Sequence, residues 1–142
     1  MIKISHRGNL YGKNQDKENH PEYIKEALLQ GYEVEVDVWY TDGQYFLGHD
    51  EPQYIVDESF LSNNNLWCHA KNKDALFEMR KNSNIHFFWH QTDDYTLTSE
   101  GYVWTYPGKE TTVGSIIVCG KETPEGEYSG FCSDYVGVIN DC

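Results

Sequence analysis

The sequence predicts a single strand-rich α/β domain, and three observations carry that prediction. Residues 31–50, GYEVEVDVWYTDGQYFLGHD, read as a strand, a tight turn and a second strand. Val34, Val36 and Val38 alternate with Glu33, Glu35 and Asp37, the period of two that marks a strand with different faces. The preceding residues read as strand then helix, so the chain opens as a βαβ unit with parallel strands and a right-handed crossover. Beyond residue 50 the apolar runs are short and bounded by turn residues, and the whole chain holds eight or nine strands against two convincing helices.

The elements follow in order. Ile2-Lys3-Ile4-Ser5 is a short strand that ends at His6-Arg7-Gly8, with residues 9–19 a polar loop. A helix over Pro21–Gln30 has Asn19 as its expected N-cap, Glu22 three residues on, and Ile24, Ala27 and Leu28 as its apolar stripe. In the hairpin, Thr41-Asp42-Gly43 is the turn. Residues 51–65 read as a linker with one helical turn near Asp57–Leu61. Leu66–Lys71 is a strand with His69 and Lys71 on one face, and Asn72 caps a second helix over Lys73–Lys81. Strands are expected at His86–Gln91, Thr96–Ser99, Gly101–Tyr106, Ser115–Cys119 and Gly130–Tyr135. There is no internal repeat and no domain boundary, so residues 1–142 are one domain.

Composition narrows the function classes. The chain has 142 residues, 39% of them hydrophobic, and a formal net charge of −12. So acidic a chain argues against nucleic acid and anionic membranes as partners, because both require basic patches. A small anionic substrate requires the site to reverse the field locally with a metal, Arg or Lys. No stretch reaches the length of a membrane span, and Met1 leads directly into a strand, so stable membrane insertion is not expected and a cytoplasmic location is. Cys68, Cys119, Cys132 and Cys142 show no CxxC pairing, which argues against zinc. The first three lie in apolar runs as reduced, buried thiols, and Cys142 is expected to be exposed.

Glu33, Glu35 and Asp37 admit two readings. They are a solvated edge, or they are carboxylates held together by a divalent cation. The βαβ opening places Glu35 and Asp37 near the carboxyl end of the second strand, beside His6 and Arg7 at the end of the first. The carboxyl ends of parallel strands are where α/β folds keep their sites. His86 and His90 read as part of a packed aromatic layer around Phe88. Asp93-Asp94 reads as a solvated turn, and Asp134 as a loop cap or part of a polar ring at the strand ends.

His6-Arg7-Gly8, Glu18-Asn19, Glu35-Val36-Asp37-Val38, Thr41-Asp42-Gly43 and His49-Asp50, in this order and spacing, resemble the N-terminal half of the glycerophosphodiester phosphodiesterases. That family belongs to the phosphatidylinositol-phospholipase-C-like barrel superfamily. His69-Ala70-Lys71, Val103-Trp104-Thr105 and Phe131–Tyr135 resemble later family segments more loosely, with His69 standing where the family has an acid. The resemblance implies a TIM-type barrel. Since such barrels usually run to about 250 residues, this one would be minimal or truncated, with about eight short strands and few crossover helices. Self-association into a homo-oligomer would cover its exposed outer faces.

The resemblance also implies roles. Glu35, Asp37 and His69 would hold a divalent metal, Mg2+ or Ca2+, with the imidazole a softer donor than the carboxylate it replaces. His6 and His49 would be the acid/base pair. Arg7 and Lys71 would neutralise the phosphate. Trp104 would line the pocket for the alcohol, and Glu18 would orient Arg7 or the metal. The implied reaction is metal-dependent hydrolysis of a small glycerophosphodiester to an alcohol and a phosphomonoester. A phospholipase D-like lyase that releases a cyclic phosphate, and a phosphate- or headgroup-binding module without turnover, are the alternatives.

Overall fold

The structure is a computed structural model and describes residues 1–139. Its ten strands are β1 (Ile2–His6), β2 (Glu33–Thr41), β3 (Gln44–Leu47), β4 (Tyr54–Val56), β5 (Leu66–Ala70), β6 (Phe87–Trp89), β7 (Tyr95–Leu97), β8 (Val103–Thr105), β9 (Ser115–Val118) and β10 (Gly130–Ser133). The helices are α1 (Pro21–Leu29), α2 (Glu58–Leu61) and α3 (Lys73–Met79). Cys142 lies outside the described residues.

All ten strands belong to one curled sheet. A parallel run passes from β8 through β9, β10, β1, β2 and β5 to β6. β3 joins β2 antiparallel, β4 joins β3 antiparallel, and β7 joins β8 antiparallel. This corrects the expected fold class. The sheet is a mixed, curled half-barrel with 14% helix, not an α/β TIM-type barrel with crossover helices. The physical reason is in the connections: the segments leading into β9 and β10 are polar and turn-rich, with no apolar stripe to dock a helix. The ends of the curl meet through isolated contacts, Ser99 N to Phe87 O at 2.9 Å and Thr96 Oγ1 to Trp89 O at 2.7 Å. The segment over residues 51–65, expected as a linker, also contributes strand β4.

Apolar side chains lie on both faces of the sheet. On the convex side, Val34, Val36 and Val38 of β2 are fully buried with Ile24 and Ala27 of α1 and Ala75 and Met79 of α3. On the concave side, Ile4, Trp67, Phe88, Trp104, Ile116 and Cys132 form a second cluster. β2 is therefore covered on both faces, and the solvated-edge reading of its acids fails: Glu35 is 2% exposed and Asp37 fully buried.

Local chemistry sets the element ends. The side chain of Asn72 accepts from Ala75 N at 3.0 Å and caps α3 as expected. Asn19 does not cap α1. His20 is the N-cap, its Nδ1 accepting from Glu22 N at 3.1 Å, and Asn19 is drawn inward to the site. Asp42 and Gly43, both with positive φ, form the two-residue turn between β2 and β3.

Candidate functional site

The site forms where β1, β2 and β5 end, on the concave face. Arg7, the first residue after β1, adopts φ 61°, a conformation rarely held by a non-glycine residue. Its N–H donates to Glu35 O at 2.9 Å, and its own carbonyl accepts from Asn19 N at 3.1 Å. Gly8 follows at φ 99°, where a Cβ would lie 2.5 Å from the Tyr23 ring. This turn stops β1 and swings the Arg7 side chain over β2.

The guanidinium is ion-paired to Asp37 and hydrogen-bonded through both Nη atoms. Its Nε lies 2.9 Å from Asp37 Oδ2, its Nη1 donates to Glu18 Oε1 at 3.1 Å, and its Nη2 donates to His49 Nδ1 at 2.6 Å. A guanidinium has only donors, so His49 Nδ1 accepts and the proton of the neutral ring sits on Nε2. His49 Nδ1 is also 3.6 Å from Asp37 Oδ2, but the shorter contact to Arg7 decides the tautomer. His6 has the opposite arrangement. Its Nδ1 lies 2.7 Å from Asp134 Oδ1 and donates to that carboxylate, which turns Nε2 toward Glu35 Oε1 at 3.8 Å. Burial alone would lower the His6 pKa. The Asp134 hydrogen bond and the Glu35 charge outweigh burial and raise it. Asp134 is held below the usual carboxylate range, its burial outweighed by the bond from His6.

Glu35, Asp37 and His69 form the centre. Each offers a ligand atom, and the three atoms lie within 4.8 Å of one another. His69 Nδ1 is 3.4 Å from Glu35 Oε2 and 3.4 Å from Asp37 Oδ1. His69 Nε2 donates to His90 O at 2.8 Å, so Nδ1 is the atom presented to the acids. The ring stacks on Phe88 at 5.1 Å and 11°, and Phe88 stacks on Trp104 at 4.6 Å. Burial would depress His69, but the Asp37 and Glu35 carboxylates beside Nδ1 reverse that and raise its pKa to about 9. Burial likewise works against Asp37. The neighbouring His69 and the Arg7 charge prevail and hold it well below the usual range. Glu35 Oε1 and Asp37 Oδ1 are buried with no hydrogen-bond donor among the described residues.

Two asparagines hold the acids in place: Asn19, expected as a helix cap, and Asn9, expected only as part of a polar loop. Asn19 Nδ2 donates to Asp37 Oδ2 at 2.9 Å, and Asn19 Oδ1 accepts from Asp37 N at 2.9 Å. Asn9 Nδ2 donates to Glu18 Oε2 and to Asp134 Oδ1, both at 2.9 Å, and Asn9 Oδ1 accepts from Tyr23 OH at 2.9 Å. No sequence signal singles out Asn9, since its partner Asp134 is 125 residues away.

Seven of the nine site residues expected from sequence converge here: His6, Arg7, Glu18, Glu35, Asp37, His49 and His69. Two do not. Trp104 is 4% exposed and packs in the concave cluster beneath His69 rather than lining an opening. Lys71 lies just past β5, its N–H donating to Val38 O at 2.8 Å, and its ammonium makes no ion pair among the described residues. A polar cavity of about 470 Å³ opens beside the cluster, lined by Arg7, Lys13, Glu18, His49, Glu51 and Gln53 among others.

Cys68 and Cys132 are free, fully buried thiols, and burial pushes both pKa values up, so neither is a nucleophile or metal ligand here. Among the described residues no helix is long and apolar enough to cross a membrane. Compared with family models, curated proteins and solved structures, the chain finds no match in any of the three.

Proposed function

We propose that the protein cleaves small phosphodiesters of the glycerophosphodiester kind by metal-dependent, histidine-driven acid/base chemistry. One observation carries this reading: the buried Glu35–Asp37 carboxylate pair and His69 converge on one point, with His6 and His49 on either side of it. Glu18 and Asp37 hold the Arg7 guanidinium, while Glu35 and Asp37 share the Nδ1 face of His69.

The donor set suits a divalent ion. Two hard carboxylate oxygens and one imidazole nitrogen converge, and the unpartnered Glu35 Oε1 and Asp37 Oδ1 are the oxygens left to bind. Mg2+ or Ca2+ is the expected ion, and the imidazole favours a softer one such as Mn2+ more than an all-carboxylate set would. When bound, the ion supplies Lewis-acid polarisation of a phosphoryl oxygen. The chain's own groups do the rest. His6, held by Asp134 with Nε2 free, takes the proton from the attacking water. His49 directs Nε2–H at the leaving oxygen and stabilises the alkoxide by hydrogen bonding while that oxygen takes its proton from solvent. Arg7 fixes His49 through Nη2 and adds positive charge at the opening, while Glu18 and Asn19 fix Arg7 and Asp37. The polar cavity beside them accommodates a hydrophilic alcohol.

A non-catalytic headgroup-binding module is the second reading, and His69 favours it. An imidazolium 3.4 Å from both acids already balances the pair without a metal. The lyase alternative uses the same groups and differs in its product, a cyclic phosphate that persists. The test is turnover of an aryl phosphodiester and of glycerophosphocholine by purified protein with EDTA, Mg2+, Ca2+ or Mn2+, beside His6→Ala. Metal-dependent turnover that His6→Ala loses supports the enzyme. Absence of turnover with every metal, from folded protein, supports the binding module.

A further inference from the structure

A second cavity, of about 570 Å³, lies on the opposite side of β2 from the metal cluster. Alternation dictates this separation, since Glu35 and Asp37 project to the concave face and Tyr40, three residues beyond Asp37, to the convex one. Tyr40 and Tyr45 face each other across the β2–β3 ladder, their rings meeting edge-on at 4.8 Å. Val56, paired with Tyr45 on β4, extends the same wall. Asn72 pins Tyr40 by accepting from its N–H at 3.2 Å and donating to its carbonyl at 2.9 Å. The aromatic wall is therefore set before any ligand arrives.

The rim is acidic. Asp57, Glu58 and Glu78 line it. Asp57 Oδ1 accepts from Phe60 N, Glu58 Oε2 from Asn82 and Glu78 Oε1 from Lys81. Each acid thus uses one oxygen and leaves the other without a donor among the described residues. A second, independent feature also points to a ligand. Tyr45 is 6% exposed, yet its buried hydroxyl has no hydrogen-bond partner among the described residues, although the residue lines the cavity. A buried hydroxyl left unpaired is costly, and a native fold retains few of them.

We propose that this cavity binds a small organic ammonium ion, its apolar stem against Tyr40, Tyr45 and Val56 and its charged head between the rim carboxylates and the Tyr45 hydroxyl. Aromatic faces and carboxylates both favour such a cation, and the aliphatic walls exclude a bare, strongly hydrated metal ion. The binding does not depend on the phosphodiesterase reading, because the two sites share no side chain.

The test is a titration with n-butylammonium followed by amide NMR, with n-butanol as the neutral isostere. The expected result is saturable shifts centred on Gly43, Tyr45 and Val56, absent with butanol. A Glu58→Gln, Glu78→Gln double variant, which keeps the Asn82 bond acceptor and the fold, should weaken binding about tenfold. Tyr45→Phe should weaken it more modestly while leaving the dispersion of the spectrum intact. Equal shifts with butanol, shifts spread over the whole acidic surface without saturation, or unchanged affinity in the double variant would overturn the proposal.

Discussion

His69 and His86 are two inward-facing imidazoles on neighbouring strands, one in β5 and the other at the entry to β6, and they are driven in opposite directions. His86 is 2% exposed, packs 4.1 Å from the Trp67 ring, and has its Nε2 2.7 Å from Thr98 Oγ1. Its nearest acid, Glu100, is half exposed and 3.6 Å away. Burial dominates there and lowers its pKa to about 4. His69 is largely but not fully covered, and Asp37 and Glu35 raise it to about 9. The difference is the partners. A neutral hydroxyl leaves burial in control, whereas two carboxylates overturn it. His86 is thus a packing residue of the aromatic layer, and His69 marks a place where the fold requires positive charge.

The largest way to break this contrast is to remove the acid that charges His69. Asp37→Asn leaves Arg7 and His69 short of a buried partner, and should cost about 3 kcal/mol in a urea titration. It should also abolish any metal-dependent turnover.

The contrast also fixes a pH profile for the metal-free protein. His69 has a folded pKa above the unfolded 6.5, so its stabilisation is complete below 6.5 and is lost as pH rises through about 9. His6, also raised, adds to that alkaline loss. His86 has a folded pKa below 6.5, so its penalty is absent above 6.5 and grows as pH falls toward about 4. Asp37 and Asp134, both lowered from 3.8, act below that window. Stability should therefore peak near pH 6.5, with each group contributing at most about 1.4 kcal/mol per pH unit. His69→Gln should flatten the alkaline limb, and His86→Gln the acid limb. Denaturation midpoints across pH check both, and a profile in which each variant flattened the other's limb would invert the assignment.

Asn19→Ala should cost about 2 kcal/mol, since it leaves Asp37 N and Asp37 Oδ2 each without one buried partner. The smallest effect concerns the convex face. Tyr45→Phe removes a hydroxyl with no partner, and its denaturation midpoint should stay within about 0.5 kcal/mol of the parent.

β2 was legible because its alternation is strict, and the structure adds only that both its faces are covered. Asn72 was legible because a cap acts over three residues. Asn19 was not, since the cap signal that Asn carries does not reveal a partner on another strand; Asp37 outcompeted the helix for it. Asp134 as the support of His6 was invisible for the same reason, since 128 residues separate the pair. The fold class failed at the connections: short apolar runs do not state whether the next strand pairs parallel or antiparallel, so β7 could not be told from a member of a parallel barrel, although the tight turn had already marked β3 as the hairpin partner of β2. Trp104 was expected to line the pocket for the alcohol, but its ring fills the concave layer and supports Phe88 under His69.

The measurement that tests the account most directly is calorimetric titration of Mn2+, then Mg2+ and Ca2+, into EDTA-stripped protein at neutral pH, with Glu35→Gln alongside. The account predicts saturable binding of a single ion per chain, absent in Glu35→Gln, with proton release as His69 gives up its charge. No saturable binding of any of the three ions, or equal binding by Glu35→Gln, would contradict it and leave His69 as the permanent cation of the cluster.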